Sequence, residues 1–477
     1  MKRFCKSACE GAAGLLLAAV LPAGAAVCGS CHPEITASYA QTAMARSSGP
    51  VDADAELPGE FTHAASSTRY RIVADHGTLE LHWPGGRVEL DLYIGSRLRG
   101  RSYAWQEAGF FYEVPAGYYT ARRAWDSAPG YEHDRRLDLD RPLTADCLFC
   151  HAGNVRLAPQ TVNRILNWRE VRGVPCERCH GDGAAHAAHP RRDNIVNPAR
   201  LAPPLRDAVC EQCHLAGEAR VRRPGRQLEN FRPGEPLADY LAVYLAGGDA
   251  RGVSVNGHAE ALARSRCRQS GPGLWCGTCH DPHRPVAAAG YREKCLACHA
   301  ARDCPSPARD QQDCVLCHMP KSRAYDGGHT TFTDHSIPRR PREPAVRPGA
   351  PTVLVPYYGS STPRDLGLAW FQVAEKYAEE SLYAKAWPPL REALAGGSAD
   401  AELYVHAAYL LERDGRGAQA EALYRRALEM EPANPAALAN LGFLVSRRGL
   451  QKEAAEYWER ALHANPRQPA VRRALER

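Results

Sequence analysis

Seven copies of Cys-x-x-Cys-His dominate the chemistry that this sequence could perform. Three copies lie close together between Cys276 and Met319, and four lie upstream. With 18 Cys and 19 His in 477 residues, the chance expectation is roughly 0.03 copies. The paired cysteines are Cys28, Cys31, Cys147, Cys150, Cys176, Cys179, Cys210, Cys213, Cys276, Cys279, Cys295, Cys298, Cys314 and Cys317. The histidines that complete the motifs are His32, His151, His180, His214, His280, His299 and His318.

This motif is the attachment signature of a c-type haem. Its two thiols add across the porphyrin vinyl groups, and the adjacent histidine becomes the proximal iron ligand. Zinc ribbons also use Cys-x-x-Cys pairs, but they require no histidine directly after the second cysteine. Thioredoxin-like proteins carry a single Cys-x-x-Cys dithiol, which lies near a βαβ pattern. Because a histidine follows every pair here, the sequence predicts seven covalently attached haem c groups.

The N-terminus has the pattern of a secretory signal peptide. Lys2, Arg3 and Lys6 precede an apolar run over 11–21, and small residues lead to a cleavage position after Ala25. The run is too short to span a membrane, and no later segment reaches 18 apolar residues. Covalent haem attachment in bacteria takes place outside the cytoplasm. We therefore expect a periplasmic or secreted bacterial protein without a membrane span.

The formal net charge of +6 does not indicate a nucleic-acid partner. Removal of the signal peptide takes away Lys2, Arg3, Lys6 and Glu10. Each ferric haem then adds two propionates against one positive iron–porphyrin charge. The mature haem-loaded protein should be near neutral or slightly acidic, and its arginines suit pairing with propionate groups.

The chain divides by composition and periodicity. Period-2 alternation follows the first haem motif, and prolines separate the haem motifs from a helix-forming C-terminus. We predict a signal peptide (1–25), a first haem segment (26–56), a β-rich insert (57–143), a multihaem cytochrome c domain with six haems (144–338), a Pro-rich linker (339–364) and a repeat domain (365–477).

The C-terminal segment has a period of 34 residues. Small residues recur at Ala386, Ala420 and Ala454, where paired helices would approach each other closely. This pattern resembles the tetratricopeptide repeat, with three copies. The predicted fold class is therefore mixed. A haem-packed region with little regular structure and a small antiparallel β insert precedes an all-α repeat domain.

The second ligand of each iron is predicted to be histidine. Ten histidines of the mature chain lie outside both the haem motifs and the repeats, whereas the whole sequence has only four Met. Bis-His coordination lacks the effect by which a Met ligand raises the reduction potential. These numbers favour a low-potential carrier of several electrons.

Four stretches resemble one known family: CERCHGDGAAH (176–186), VNGHAEALARSRC (255–267), CGTCHDPH (276–283) and CHMPKSRAYDGGHTTFTDHSIPR (317–339). They look like the multihaem cytochromes c related to the tetrahaem cytochrome of ammonia oxidisers and to hydroxylamine oxidoreductase, in the branch that carries tetratricopeptide repeats. The resemblance implies distal ligands that serve neighbouring haems. By this carry-over the candidate distal ligands are His186, His283, His258, His329, His335 and, for an early haem, His63.

Two classes of function remain. The first is an electron carrier whose repeats dock a redox partner, bind another protein or peptide, or assemble copies of the chain. The alternative is a multihaem oxidoreductase that acts on a small nitrogen or sulfur compound at one five-coordinate haem. No Cys-x-x-Cys-Lys motif is present, and the spare histidines suffice for every iron, so the sequence favours the carrier. Cys267 and Cys304 remain as either a disulfide or two thiols.

Overall fold

The computed structural model describes residues 23–477 except 136–137, 249–251, 272, 286–289, 301–303, 307–312 and 341–348. Most of the predicted signal peptide and part of the predicted linker therefore lie outside the described residues. An antiparallel β region precedes the second haem motif. Its strands are β1 (Ser48–Pro50), β2 (Gly59–Thr62), β3 (Arg69–Asp75), β4 (Thr78–Trp83), β5 (Gly86–Glu89), β6 (Leu92–Ile94), β7 (Gly100–Glu107), β8 (Phe110–Tyr119) and β9 (Ala124–Ser127).

These strands form two sheets, with the orders β1-β6-β7-β8-β9 and β2-β3-β4-β5. Alternate side chains of the strands point to a shared apolar core, as period 2 requires. Leu79 and Leu81 of β4 and Tyr103 of β7 are buried there. The sequence predicted this β region over 57–143, but β1 lies earlier and pairs with β6. The first haem segment is thus joined to the sheet by main-chain hydrogen bonds.

Short helices carry the haem motifs, as the sequence predicted. Long loops connect them, and buried apolar side chains among these elements form two ordinary clusters, one around Phe231 and Leu237 and one around Leu148 and Ile165. The helices are α1 (Ala23–Cys31), α2 (Pro33–Tyr39), α3 (Ala145–His151), α4 (Glu177–His180), α5 (Ala184–Ala188), α6 (Pro203–His214), α7 (His258–Arg264), α8 (Arg266–Gln269), α9 (Cys276–Cys279), α10 (Tyr291–Leu296) and α11 (Cys314–His318).

Two further small sheets lie among these helices, and one of them corrects the predicted linker. Their strands are β10 (Ala219–Arg222), β11 (Leu241–Ala246), β12 (Lys321–Arg323), β13 (Thr331–Thr333) and β14 (Leu354–Pro356). Strand β14 falls in the segment predicted as a linker, yet it pairs antiparallel with β11. Proline is tolerated on an edge strand because no ladder donor is needed there. Part of the Pro-rich segment is therefore structured rather than a free connection.

Seven helices complete the chain. The first six form three antiparallel pairs, each joined by a short turn. They are α12 (Pro363–Tyr377), α13 (Tyr383–Ala395), α14 (Ala401–Arg413), α15 (Gly417–Met430), α16 (Pro435–Arg447), α17 (Gln451–Ala464) and α18 (Pro469–Leu475). Side chains cap the first helix of each pair, because Thr362, Asp400 and Asn434 accept hydrogen bonds from orphan main-chain N–H groups.

The small residues of the 34-residue period lie where these helices meet. Ala386, Ala420 and Ala454 are fully buried. Glycine is also required for close approach, because a Cβ at Gly442 would lie 2.4 Å from the indole nitrogen of Trp458. Helix packing at this distance tolerates only the smallest side chains, which explains the periodicity seen in the sequence.

The helical segment is attached to the haem region at its first helix. The Gln372 side chain accepts a hydrogen bond from the Arg220 main-chain N–H and donates to the Arg220 carbonyl, both at 3.0 Å. Residues of β10 and β11 share one buried apolar cluster with α12, α13 and α14.

A second attachment lies at the far end of the helical segment. The Tyr112 hydroxyl donates to Asn465 Oδ1 at 3.1 Å, and the Val162 N–H donates to the Ala464 carbonyl at 3.1 Å. Arg467 lies over the Trp105 ring at 4.8 Å. Because both ends are held, the helical segment is packed as one body with the haem region.

Candidate functional site

One connected cavity contains the residues of all seven motifs. Its volume is about 4130 Å³, far above the roughly 300–1,000 Å³ of common ligand pockets. All fourteen motif cysteines and all seven motif histidines line it. Such a cavity has the size and the thiol and imidazole groups that several covalently attached haems require, so the residues fit this cofactor.

One helical turn brings the reactive groups of each motif together. The main-chain N–H groups of His32, His180 and His280 donate to the first cysteine of their own motif at 2.8, 3.0 and 2.9 Å. Residues three and four positions apart share a helix face. The two thiols and the imidazole therefore point to the same side, as attachment to a single porphyrin requires.

Four motif histidines have a second histidine ring opposite them. The centroid distances are 6.4 Å for His32–His186, 5.8 Å for His180–His283, 5.6 Å for His214–His258 and 6.2 Å for His280–His335. Metal–nitrogen bonds of about 2.0 Å on opposite faces of one ion place two imidazole centres about 6 Å apart. The geometry therefore fits one iron between the rings of each pair.

Main-chain carbonyls orient several of these imidazoles. His180 Nδ1 lies 2.7 Å from the Val196 oxygen, His335 Nδ1 lies 2.9 Å from the Thr333 oxygen, and His318 Nδ1 lies 3.0 Å from the Pro338 oxygen. A carbonyl only accepts, so each Nδ1–H donates and leaves the Nε2 lone pair free for a metal. Because the acceptors are main-chain groups, no sequence signal could have identified them.

Burial favours the neutral form of several cavity histidines by lowering their pKa. Desolvation, with smaller effects from neighbouring histidines, lowers the pKa of His214 to about 4 and that of His258 to about 2. Desolvation also lowers the pKa of His180, His280 and His335. A neutral imidazole is the form that binds metals. These side chains are therefore available as ligands at neutral pH.

The structure does not support the predicted role of His63 as a distal iron ligand. His63 is buried outside the cavity, with Nδ1 2.8 Å from the Ser66 hydroxyl and Nε2 2.8 Å from the Tyr131 carbonyl oxygen. Both ring nitrogens are thus occupied by hydrogen bonds within the β region. The ring therefore has no free nitrogen with which to bind an iron.

The structure also does not support the predicted role of His329 as a distal iron ligand. Its Nε2 lies 3.0 Å from the Asp126 carboxylate, and its ring packs edge-on against Tyr119. It is not among the residues that line the cavity. Asp126 lies on β9, so His329 is held against the sheet instead of facing another histidine.

Three motif histidines have no such pair in the described part of the chain. They are His151, His299 and His318. The chain near His299 includes undescribed residues, whereas the surroundings of His151 are described more fully. Ser47 Oγ donates to the His151 carbonyl at 2.7 Å, and desolvation lowers the pKa of His151.

Cysteines of different motifs also meet, which the sequence did not predict. The thiols of four pairs of cysteines from different motifs lie close enough to interact. Haems attached through these cysteines would be neighbours, so the contacts group the motifs in space. The pairs are Cys28–Cys176, Cys150–Cys213, Cys210–Cys276 and Cys295–Cys314.

Residues 119–181 match the family model described as cytochrome c554 and c-prime. The matched segment contains the complete motifs that end at His151 and His180. This match supports a multihaem c-type cytochrome. It covers a small part of the chain, so membership of that family is not assigned.

A solved structure, the outer cell wall cytochrome OcwA, is similar over 91% of this chain and 98% of its own. The identity is 17% and the TM-score is 0.41. No curated protein matches.

The correction of His63 has a direct test. We expect His63→Gln to lower the free energy of unfolding by roughly 1–3 kcal/mol, because the buried groups that hydrogen bond to His63 would be left unsatisfied. The number of low-spin irons should be unchanged, because no iron depends on this ring. Chemical denaturation and electron paramagnetic resonance of the ferric protein measure the two quantities. A new high-spin signal would restore His63 as a ligand.

Proposed function

We propose that this chain is an exported heptahaem c-type cytochrome that transfers electrons through closely spaced haems. When bound, haem c supplies a reversible one-electron couple at each iron. The cysteines of the seven motifs hold the porphyrins, and the motif histidines serve as proximal ligands. We assign His186, His283, His258 and His335 as distal ligands of the irons at His32, His180, His214 and His280.

The observation that carries this proposal is the set of four opposed histidine pairs inside one cavity. A six-coordinate iron changes little when it takes up or loses an electron, and it leaves no position for a substrate. The pairs also bridge motifs that are distant in the sequence, since His283 follows the His280 motif but faces His180. One short segment thereby fixes two neighbouring haems at a constant separation, which favours fast electron transfer.

The remaining parts of the chain support export and docking. In the described residues, no helix is long and apolar enough to cross a membrane. We propose cleavage after Ala25 and a location outside the cytoplasm. We also propose that the helix pairs are tetratricopeptide repeats whose free surface docks a redox partner or a second copy of the chain.

The intact mass of the purified protein tests the cofactor content. We expect seven haem increments on a chain that starts at Ala26, because seven complete motifs line the cavity. Acid treatment should not release them, because thioether bonds are covalent. Five or fewer increments would contradict the proposal.

A second candidate function rests on His151, which has no opposed histidine in the described part of the chain. An iron with only this ligand could bind a small nitrogen or sulfur compound. Glu113, whose pKa is raised by burial, lies beside the Cys147 thiol and 3.4 Å from Arg141. It could hold a proton near this iron. A high-spin ferric signal that responds to added nitrite or sulfite would favour this oxidoreductase.

A further inference from the structure

The motifs that end at His151 and His214 meet through their second cysteines. The Cys150 and Cys213 thiols lie close enough to interact, and both pack against the same buried apolar cluster. Cys150 Sγ also lies 3.9 Å from the Gln212 carbonyl oxygen. Haems attached through these two cysteines would adjoin each other here. We call this place the Cys150–Cys213 junction.

Two guanidinium groups lie at this junction. Arg220 hydrogen bonds to the Cys150 thiol, and its Nη2 donates to the Gln212 carbonyl at 2.9 Å. Arg178 lies over the Phe149 ring, with its guanidinium carbon 4.2 Å from the ring centroid. Gln212 Nε2 donates to the Arg178 carbonyl at 3.1 Å. The two charges thus approach the junction from α4 and from β10.

Neither guanidinium, of Arg178 or of Arg220, has a carboxylate ion-pair partner among the residues that the structure describes. The Nε atom of Arg178 is buried and has no hydrogen-bond partner among the described residues. Burial lowers the pKa of Arg178, but a guanidinium stays charged in proteins. Two positive charges therefore remain beside this pair of motifs.

Because these charges lie beside the attachment cysteines, they would not reach the propionates of the same two haems. In a c-type haem the thioether bonds and the propionates occupy opposite edges of the macrocycle. A positive charge in a low-dielectric site stabilises the form with one more electron. Net charge and burial are among the factors through which a protein sets haem potentials.

We propose that Arg178 and Arg220 raise the reduction potentials of the haems bound at His151 and His214. Electrons delivered to the haems would collect at this pair, which includes the His151 iron, one of those for which no described histidine lies opposite. This inference rests on the proposed electron-transfer function. It implies that electron transfer among the haems runs toward the Cys150–Cys213 junction.

The test compares Arg178→Gln with Arg178→Lys, and adds Arg220→Gln. Reductive titrations of the full-length haem-loaded proteins are followed by visible absorption and by electron paramagnetic resonance. In a His258→Ala background, the His214 iron should gain a high-spin signal, which is followed as the difference from the spectrum of the protein with His258 intact. Arg226→Gln, at an exposed side chain, is the control for loss of a surface arginine.

We expect both glutamine variants to shift the His214 midpoint to lower potential. A midpoint shift of about 59 mV corresponds to a tenfold change in the ratio of reduced to oxidised haem for a one-electron couple. Arg178→Lys should keep most of the wild-type midpoint, because the charge remains, and Arg226→Gln should match the wild type.

Equal shifts in Arg178→Gln and Arg178→Lys would overturn the proposal, because they would show a packing role. A shift confined to the His180 haem would also overturn it, since Arg178 would then pair with a neighbouring propionate. Unchanged midpoints in a protein that titrates reversibly contradict this tuning alone. A wild-type protein that takes up no electrons would contradict the proposed function itself.

Discussion

Replacing His283 with Ala should convert one six-coordinate iron into a five-coordinate iron and leave all seven haems attached. The His283 ring lies opposite His180, with a centroid distance of 5.8 Å and an angle of 15° between the ring planes. His280 is only three positions from His283, and its own partner is His335. The opened iron should therefore be the one at His180.

Electron paramagnetic resonance of ferric His283→Ala should show one new high-spin iron per chain. The reduced variant should bind about one equivalent of carbon monoxide more than the wild type. His189→Ala is the matched control, because His189 is an exposed histidine that pairs with no motif histidine in the described residues. An unchanged low-spin spectrum in His283→Ala would remove His283 from the ligand set.

Replacing Arg364 with Ala should destabilise the haem region and the helical segment together. Arg364 is 4% exposed. Its Nε and Nη2 bind the Asp400 carboxylate at 2.7 and 2.8 Å, and its Nη1 donates to the Arg222 carbonyl of β10 at 2.8 Å. Removing one partner of a buried ion pair costs roughly 3–5 kcal/mol, because the remaining charges stay buried.

Denaturant unfolding followed by haem absorption and by far-ultraviolet circular dichroism measures this effect. We expect the Arg364→Ala transition at lower denaturant, with both signals changing together. Arg472→Ala, which removes an exposed guanidinium bound to the Pro466 carbonyl, should be within about 0.5 kcal/mol of the wild type. Separate transitions for the two signals would show that the helical segment is an independent domain.

The seven motifs were the most visible feature of this sequence. Attachment to a porphyrin demands fixed residue types at fixed spacing, and every cysteine picked out by that spacing lines the one cavity described above. The helical period was also visible, because close helix contacts admit only residues such as Ala420. Both signals are local in sequence and need no knowledge of the tertiary structure.

The distal histidines show where sequence reasoning fails. His186 and His63 have the same chemistry, yet His186 faces His32 while His63 is held by Ser66 and Tyr131. Which surroundings a histidine meets depends on contacts across many residues. Strand β14 was missed for the same reason. It is a short strand within a Pro-rich segment, and its pairing with β11 depends on a contact between residues far apart in the sequence.

Coulometric titration of the purified haem-loaded protein tests the central claim most directly, because it counts the electrons that each chain accepts and returns. The account predicts seven electrons per chain, one for each Cys-x-x-Cys-His motif, with the same number recovered on reoxidation. Five or fewer electrons, or uptake that cannot be reversed, would contradict a heptahaem electron carrier.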